Sequence, residues 1–380
     1  MTTAITALLG ALAVVVAPAL AGGPAQDAAR ARQAYDQAVA LEADGNYPAA
    51  LSLLWAAAGA APTDAEIQNR LGEALDRLGA LDAAIEAFRT AVTERPSFRK
   101  ASNNLILALV KAGRGPEAVE RARAIAAGSP RDADAYFTLG LAQSEQDVDG
   151  AIASFRRALD LAPAHTLARY NLALVLQRVD RSRDALAELD RGLAIDPRPE
   201  LLYTQGVIYW RAGTLDRAAA ALRTAVDREP SYAEAWHALG AVLSAKHDWN
   251  GAADALGRAI ALRPDLPSAR YALAQVRQRQ GREAEARDER ERADHLRDRA
   301  RLEQEAGVWT AAGSERLDGG DAMAALDCFR RAVALLDTYA PAHYQMGRTL
   351  DRLGEHAAAR TAFARAQALN PSLVPPRDRR

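Results

Sequence analysis

Apolar and polar positions along this chain return in register. A central alanine stands at Ala50, Ala84, Ala118, Ala151, Ala185, Ala218, Ala252, Ala286, Ala325 and Ala359, with a spacing of 34 residues broken by two steps of 33 and one of 39. About twelve residues before most of them lies a small residue: Ala38, Gly72, Gly140, Ala173, Gly206, Gly240, Ala274, Gly313 or Gly347, with Ile106 the exception. Seven residues after them comes another small one, such as Ala57, Ala91, Ala158, Gly192, Ala225, Ala259, Ala293, Ala332 or Ala366. Between these columns sits a large apolar side chain: Phe88, Phe155, Leu189, Leu222, Leu256, Phe329 or Phe363. A fixed period of this length is the mark of a stacked-repeat architecture.

Each period predicts two helices of about 12 to 14 residues joined by a turn. The turn usually carries glycine, as at Gly45, Gly79, Gly113, Gly213, Gly281 and Gly354. Small residues at the crossing let two backbones approach to about 8–10 Å, and the large apolar residue is expected to fill the space between successive pairs. A closing proline, as at Pro62, Pro96, Pro230 and Pro264, ends the second helix. One pair cannot bury its own apolar face, so stacked pairs must share a core. The prediction is an all-α solenoid of about ten helix-turn-helix units.

These residues resemble the tetratricopeptide repeat (TPR). The segment "AWHALGAVLSAKHDWNGAADALGRAIALRP", Ala235 to Pro264, carries the pattern in Trp236, Leu239, Gly240, Ala252, Leu256, Ala259 and Pro264. The resemblance covers about residues 31 to 371. It implies a right-handed α-solenoid whose first helices line a concave groove, a role in binding peptides or proteins, and no catalysis. Two family sites do not carry over. Only Asn104 and Asn171 match the groove asparagines of the repeat-bearing sugar transferases. Lys100 and Asn103 match a fragment of the carboxylate clamp, but Tyr35 and Val39 stand where that clamp needs Lys and Asn.

The organisation that follows has residues 1–21 as a signal peptide or N-terminal anchor and 22–30 as linker. Units one to eight fill 31–304, units nine and ten fill 305–371, and 372–380 form a tail. Residues Met1 to Gln26 carry no charged side chain, and the run Ala4–Ala17 is apolar. Pro18 and Ala19-Leu20-Ala21 then suit cleavage before Gly22. No Lys or Arg precedes the apolar run, so an uncleaved anchor is the rival reading, although the run is short for a span of about 20 apolar residues. Both place the chain outside the cytoplasm, in the periplasm or secreted, or held at the inner membrane. The long step between Ala286 and Ala325 contains "REAEARDERERADHLRDRARLEQE", dense in both charges, which predicts one lengthened, solvated helix.

Composition narrows the chemistry. About a quarter of the residues are alanine, a bias toward closely packed helix. The 48 Lys+Arg and 49 Asp+Glu give a net charge of −1, so no excess of positive charge draws nucleic acid or an anionic membrane. The single cysteine, Cys328, excludes an internal disulfide and a multi-cysteine metal site; beside Phe329 it reads as a buried structural thiol. His165, His237, His247, His295, His343 and His356 lack ligand spacing and read as surface or groove residues. No phosphate loop, GxSxG elbow or HExxH motif is present. The sequence therefore reads as a non-enzyme without cofactor or metal.

The candidate ligand groove comes from helical register. The fifth residue of each first helix should face the concave side, with the ninth one turn further along. Units four to eight give Phe137, Tyr170, Tyr203, His237 and Tyr271 at the fifth position, and Leu141, Leu174, Val207, Ala241 and Gln275 at the ninth. Trp210 follows one turn beyond Val207, and units two and three offer Asn69 and Asn103. An apolar stripe entered past asparagines fits an extended peptide or partner protein in the cell envelope or secreted space. The alternatives are a glycan-binding scaffold for polysaccharide export or wall assembly, and an accessory subunit of an enzyme complex. The competing account of the stripe is ordinary core between neighbouring first helices. The C-terminal end, with Ala358, Ala362 and Leu369 toward the outer side of the last helix, is expected to self-associate or dock, unless Leu373 and Val374 fold back over it.

Overall fold

Glycines and alanines set how closely these helices pack. In a computed structural model, which describes residues 24–370 and Leu373, nineteen helices follow one another with no strand among the described residues. The apolar run of the expected leader lies outside the described residues. No helix among those described is long and apolar enough to cross a membrane.

The chain divides into two compact units, each described by itself. One holds the described residues of Met1–Arg114 and Ala300–Arg380; the other is Gly115–Arg299. The first contains α1 (Pro24–Ala43), α2 (Tyr47–Ala60), α3 (Ala65–Arg77), α4 (Leu81–Glu94) and α5 (Arg99–Lys111), and, after the long helix, α17 (Ala322–Leu335), α18 (Ala340–Arg352) and α19 (His356–Leu369). The second contains α6 (Gly115–Gly128), α7 (Ala133–Gln143), α8 (Val148–Leu161), α9 (Thr166–Arg178), α10 (Ser182–Ile195), α11 (Pro199–Arg211), α12 (Leu215–Arg228), α13 (Ala233–Ala245), α14 (Trp249–Leu262) and α15 (Pro267–Arg279). The long helix α16 runs unbroken over Glu283–Asp318, 36 residues. The division into 31–304 and 305–371 therefore has no break in the backbone at its boundary. Helix α1 begins at Pro24, so residues 24–30, read as linker, are helical.

Within Gly115–Arg299, consecutive helices pack in chain order. All ten alanines of the central column are buried. The small column explains the close approach. A Cβ placed on Gly72, Gly140 or Gly313 would lie 2.5–2.6 Å from the ring of Phe88, Phe155 or Phe329, and on Gly206 or Gly240 2.6 Å from Leu222 or Leu256. The large residue thus sits against the glycine of its own pair. The missing Cβ is part of the space it occupies, and it also shares a core with the next pair, as expected: Phe155 with Leu172 and Leu176, Leu222 with Leu239 and Val242. The predicted turn glycines all adopt φ between 72° and 82°, where an L side chain is strained. Asp180 and His247 take the same left-handed conformation at their turns.

Closing prolines do more than stop a helix. The carbonyl of Pro163 accepts from Arg169 Nη2 at 2.7 Å, that of Pro230 from Trp236 Nε1 at 3.0 Å, and that of Pro62 from Gln68 Nε2 at 2.8 Å. Arg270 makes the same reach to Pro264 at 3.3 Å. In each case the fourth residue of a first helix satisfies a carbonyl that the preceding helix leaves open. His343 does likewise with Asp337 O at 2.8 Å; it is buried, not a surface residue. Cys328 is buried as expected, with Arg316 Nη1 2.6 Å from its sulfur. At the C-terminal end Ala362 is buried and Leu369 half-buried, both packed with Phe363 and Leu373. The apolar strip expected on the outside of α19 is therefore reduced, and Leu373 folds back as the alternative reading required.

Candidate functional site

The site candidates fall into both units, and the structure treats them differently. In the first unit Asn69 is buried at 4% exposure. Its amide donates to Glu73 Oε1 at 2.9 Å, and its Oδ1 accepts from Asn104 Nδ2 at 3.0 Å. Asn104 also donates to Glu73 at 3.0 Å, and Lys100 Nζ lies 2.7 Å from the same carboxylate. Burial raises the Glu73 carboxyl, but Lys100, Asn69 and Asn104 outweigh it and hold the group below its ordinary value. Asn69 is committed to this internal network and does not serve as an open backbone-binding asparagine. Asn103, half-buried on the next first helix, keeps a buried Oδ1 with no hydrogen-bond partner. Asn171 returns its amide to Leu167 O at 2.9 Å.

The second unit holds the apolar stripe. Helices α9 and α11, α11 and α13, and α13 and α15 touch in series, so their first-helix faces adjoin. Phe137, Leu141 and Tyr170 pack half-buried on a core containing Phe155, Leu172, Leu176 and Ile208. Tyr203 packs half-buried on the neighbouring core of Leu222, Leu239, Leu243 and Leu256. Leu174, Val207 and His237 are half-buried as well. Burial lowers the His237 imidazole below its ordinary value, which favours the neutral ring. Phe137, Tyr170 and Tyr203 thus rest on core and keep part of their surface open. Two side chains on the same helix faces stand further out: Leu167 is 44% exposed and Trp210 38%. Leu167, Tyr170 and Leu174 follow at i, i+3 and i+7 on α9; Tyr203, Val207 and Trp210 follow at i, i+4 and i+7 on α11.

Three residues outside the predicted register complete this face. His165, at the N-cap of α9, lies with its ring centroid 4.8 Å from that of Phe137. Its Nδ1 accepts the Ala168 N–H, and its Nε2 lies 3.3 Å from Asp134 Oδ1. Tyr232, at the N-cap of α13, lies 5.2 Å from Tyr203 with the rings inclined by 47°. A residue on the turn ahead of each of these helices therefore covers the fifth-position ring of the unit before. Leu167 is the third. Tyr271 ends the stripe differently: its hydroxyl donates to Asp294 Oδ1 on α16 at 2.6 Å, and that hydrogen bond raises its phenol.

Two of the tyrosine hydroxyls titrate above their ordinary value. Burial, then Glu234 and Tyr170, raise the Tyr203 phenol against an opposing Arg211. At Tyr232 burial acts upward first, and the phenols of Tyr170 and Tyr203 and the carboxylates of Glu234 and Glu200 act in the same direction. Among the described residues no group of three His, Cys, Asp or Glu is placed to hold a metal ion. What the arrangement offers chemically is contact area and ring faces.

Tetratricopeptide repeat models match residues 35–97, 103–166 and 310–374, and further models of the same description match 142–206 and 199–242. These matches cover more than half of the chain, which belongs to the tetratricopeptide repeat family. Protein FlbA of Caulobacter vibrioides is 28% identical over 164 residues, 43% of this chain and 28% of its own. The peroxisomal targeting signal receptor of Eremothecium gossypii is 28% identical over 176 residues, 46% of this chain and 28% of its own. The chain thus spans little more than a quarter of the length of these curated relatives. A tetratricopeptide repeat protein from Parabacteroides merdae superposes with a TM-score of 0.51 over 65% of this chain and 98% of its own, at 17% identity. That likeness bears on the fold, which is a solenoid of tetratricopeptide helix pairs.

Proposed function

We propose that this protein is a non-enzymatic scaffold of the cell envelope or secreted space that holds an extended peptide, or an extended segment of a partner protein, on the face of α7, α9, α11 and α13. The observation that carries this reading is the row of half-open rings continued outward by Leu167 and Trp210. Large apolar side chains left in solvent side by side mark interaction surfaces, whereas single ones do not. An extended chain suits a shallow face crossed by several parallel helices, because successive residues meet successive repeats. One relative is named as the receptor of a targeting signal, which agrees with a peptide ligand. Export rests on the apolar run Ala4–Ala17 and the small residues before Gly22.

The test is selection of a phage-displayed random dodecapeptide library on residues 22–380, with a glycan array read in parallel. The proposal expects peptides whose binding falls in a variant carrying Leu167→Ser and Trp210→Ser. Glycan binding without peptide binding overturns the ligand class. Peptides indifferent to both substitutions overturn the location. N-terminal sequencing of the protein recovered from its native cell checks export: a mature chain starting at Gly22 supports it, and one starting at Met1 or Thr2 refutes cleavage.

A further inference from the structure

Resting on that reading, we propose that the chain bound on this face is a polyproline II segment with proline or another apolar residue at every third position, one for each repeat it crosses. The spacing of the rings carries this. Phe137, Tyr170, Tyr203 and His237 hold the fifth position of four successive first helices, one ring per repeat. Helices α9, α11 and α13 adjoin in series, and packed helices lie about 8–10 Å apart. A polyproline II chain turns once in three residues, so the same side of it returns after about 9.3 Å. A β-strand returns its side chains to one face after two residues, about 6.7 Å, and falls out of step with the repeat.

The rings and their polar tips suit such a chain. Phe137 and His165 lie 4.8 Å apart with planes inclined by 46°, and Tyr203 and Tyr232 lie 5.2 Å apart with planes inclined by 47°. Two tilted pairs of nearly the same geometry thus stand two repeats apart, a span of about six residues of this chain. Tyr170 belongs to the repeat between them and packs on the core that Phe137 shares with Leu201 and Ile208 of α11. Polyproline II segments dock on aromatic-lined surfaces because their conformation is set before binding. Among the described residues, the hydroxyls of Tyr170, Tyr203 and Tyr232 and the indole N–H of Trp210 make no hydrogen bond, whereas Tyr271 and Trp236 spend theirs on Asp294 and the Pro230 carbonyl. Donors are what this backbone needs, since its carbonyls have no internal partner and proline carries no N–H. The acidic groups along the face already have basic partners: Glu200 with Arg198, Glu234 with Arg263 and Asp134 with His165. They call for no charge on the ligand. Arg211, which has no ion pair among the described residues, is a further donor at the end of α11.

The experiment takes a dodecapeptide selected on the full mature chain and measures its affinity by fluorescence anisotropy. Each residue of the peptide is replaced in turn, first by alanine and then by proline. The expected result is an alanine loss of at least tenfold at positions spaced by three. Proline at the positions between should be tolerated or bind severalfold more tightly, because it fixes the bound conformation and removes no hydrogen bond. In Tyr232→Leu the alanine loss at one of the spaced positions should shrink severalfold, while the others keep theirs. Losses at every second residue, binding abolished by proline at the positions between, or an alanine profile unchanged in Tyr232→Leu overturn the polyproline II ligand. They leave the groove standing as long as binding still falls with Leu167→Ser and Trp210→Ser. Peptides indifferent to those two substitutions, or a library that yields no binder, overturn both.

Discussion

Glycine to alanine at two positions of one repeat isolates what the small column does. Gly240 and Gly257 both lie inside helices, α13 and α14. Alanine is about 1 kcal/mol better than glycine in a helix interior, so propensity alone stabilises both substitutions equally. Their surroundings differ. A Cβ at Gly257 meets nothing within 4 Å, whereas one at Gly240 lies 2.6 Å from Leu256 Cγ, 2.9 Å from its Cδ2 and 3.3 Å from the Ala252 carbonyl oxygen. Leu256 is fully buried and cannot swing into solvent. Overpacking of this kind costs about 1–3 kcal/mol. Gly257→Ala should therefore stabilise by about 1 kcal/mol, and Gly240→Ala should fall about 1–3 kcal/mol below it, from neutral to destabilised by about 2 kcal/mol. The assay is urea unfolding followed by helix ellipticity. Leu256→Ala adds a second reading. Alone it should cost about 2–5 kcal/mol, and in combination with Gly240→Ala the total should be smaller than the sum, because the new methyl enters the vacated space. If Gly240→Ala stabilises as much as Gly257→Ala, the close crossing is not where the register puts it.

Two further outcomes follow from polar groups. Arg169 and Glu188 pair at 2.7 Å with side chains 13% and 14% exposed, and Arg169 also serves the Pro163 carbonyl. Arg169→Met should cost about 2 kcal/mol, since it leaves the largely buried Glu188 with only the exposed Arg191 as a partner and a helix-end carbonyl without its donor, while the exposed Arg228→Met should cost about 0.5 kcal/mol or less. Glu73 titrates below its ordinary value, so in the unfolded chain it takes up its proton at a higher pH than in the folded one. Its contribution is complete above the ordinary value of 4.5 and is lost as pH falls through the lower folded value. Acid unfolding curves of Glu73→Gln against the parent should converge at the acid end and separate above it.

How far the sequence spoke depends on the kind of contact. The alanine column and its glycine partners were readable because helix crossings repeat identically, and a missing Cβ leaves its mark in every unit. The left-handed turns were readable where glycine supplies them, and unreadable at Asp180 and His247, where other residues bear the strain. Polar side chains were harder. Asn69 occupies a groove position by register, yet Asn104, 35 residues on, and Glu73, one turn away, draw it into a buried network. His165 and Tyr232 were missed because they sit on turns, where helical register says nothing about direction. A signal did exist: both are aromatic rings at N-caps, 28 and 29 residues after the rings they cover. The extension of α16 to Asp318 follows from the same charged stretch that predicted a long helix, since no proline interrupts it and its first glycine is Gly307, well past that stretch.

The proposed role requires that the open row on α9 and α11 bind a ligand and be more than the outer edge of the core. Leu167 and Trp210 separate the two, because they share the helix faces of Tyr170 and Tyr203 but are exposed where those rings are half-buried. The measurement is the affinity of a selected dodecapeptide for the parent and for the variant carrying Leu167→Ser and Trp210→Ser, alongside the unfolding free energy of each. The account predicts a loss of about 2 kcal/mol or more in binding, with unfolding changed by about 0.5 kcal/mol or less. Unchanged affinity, or a fall in stability with affinity retained, contradicts it.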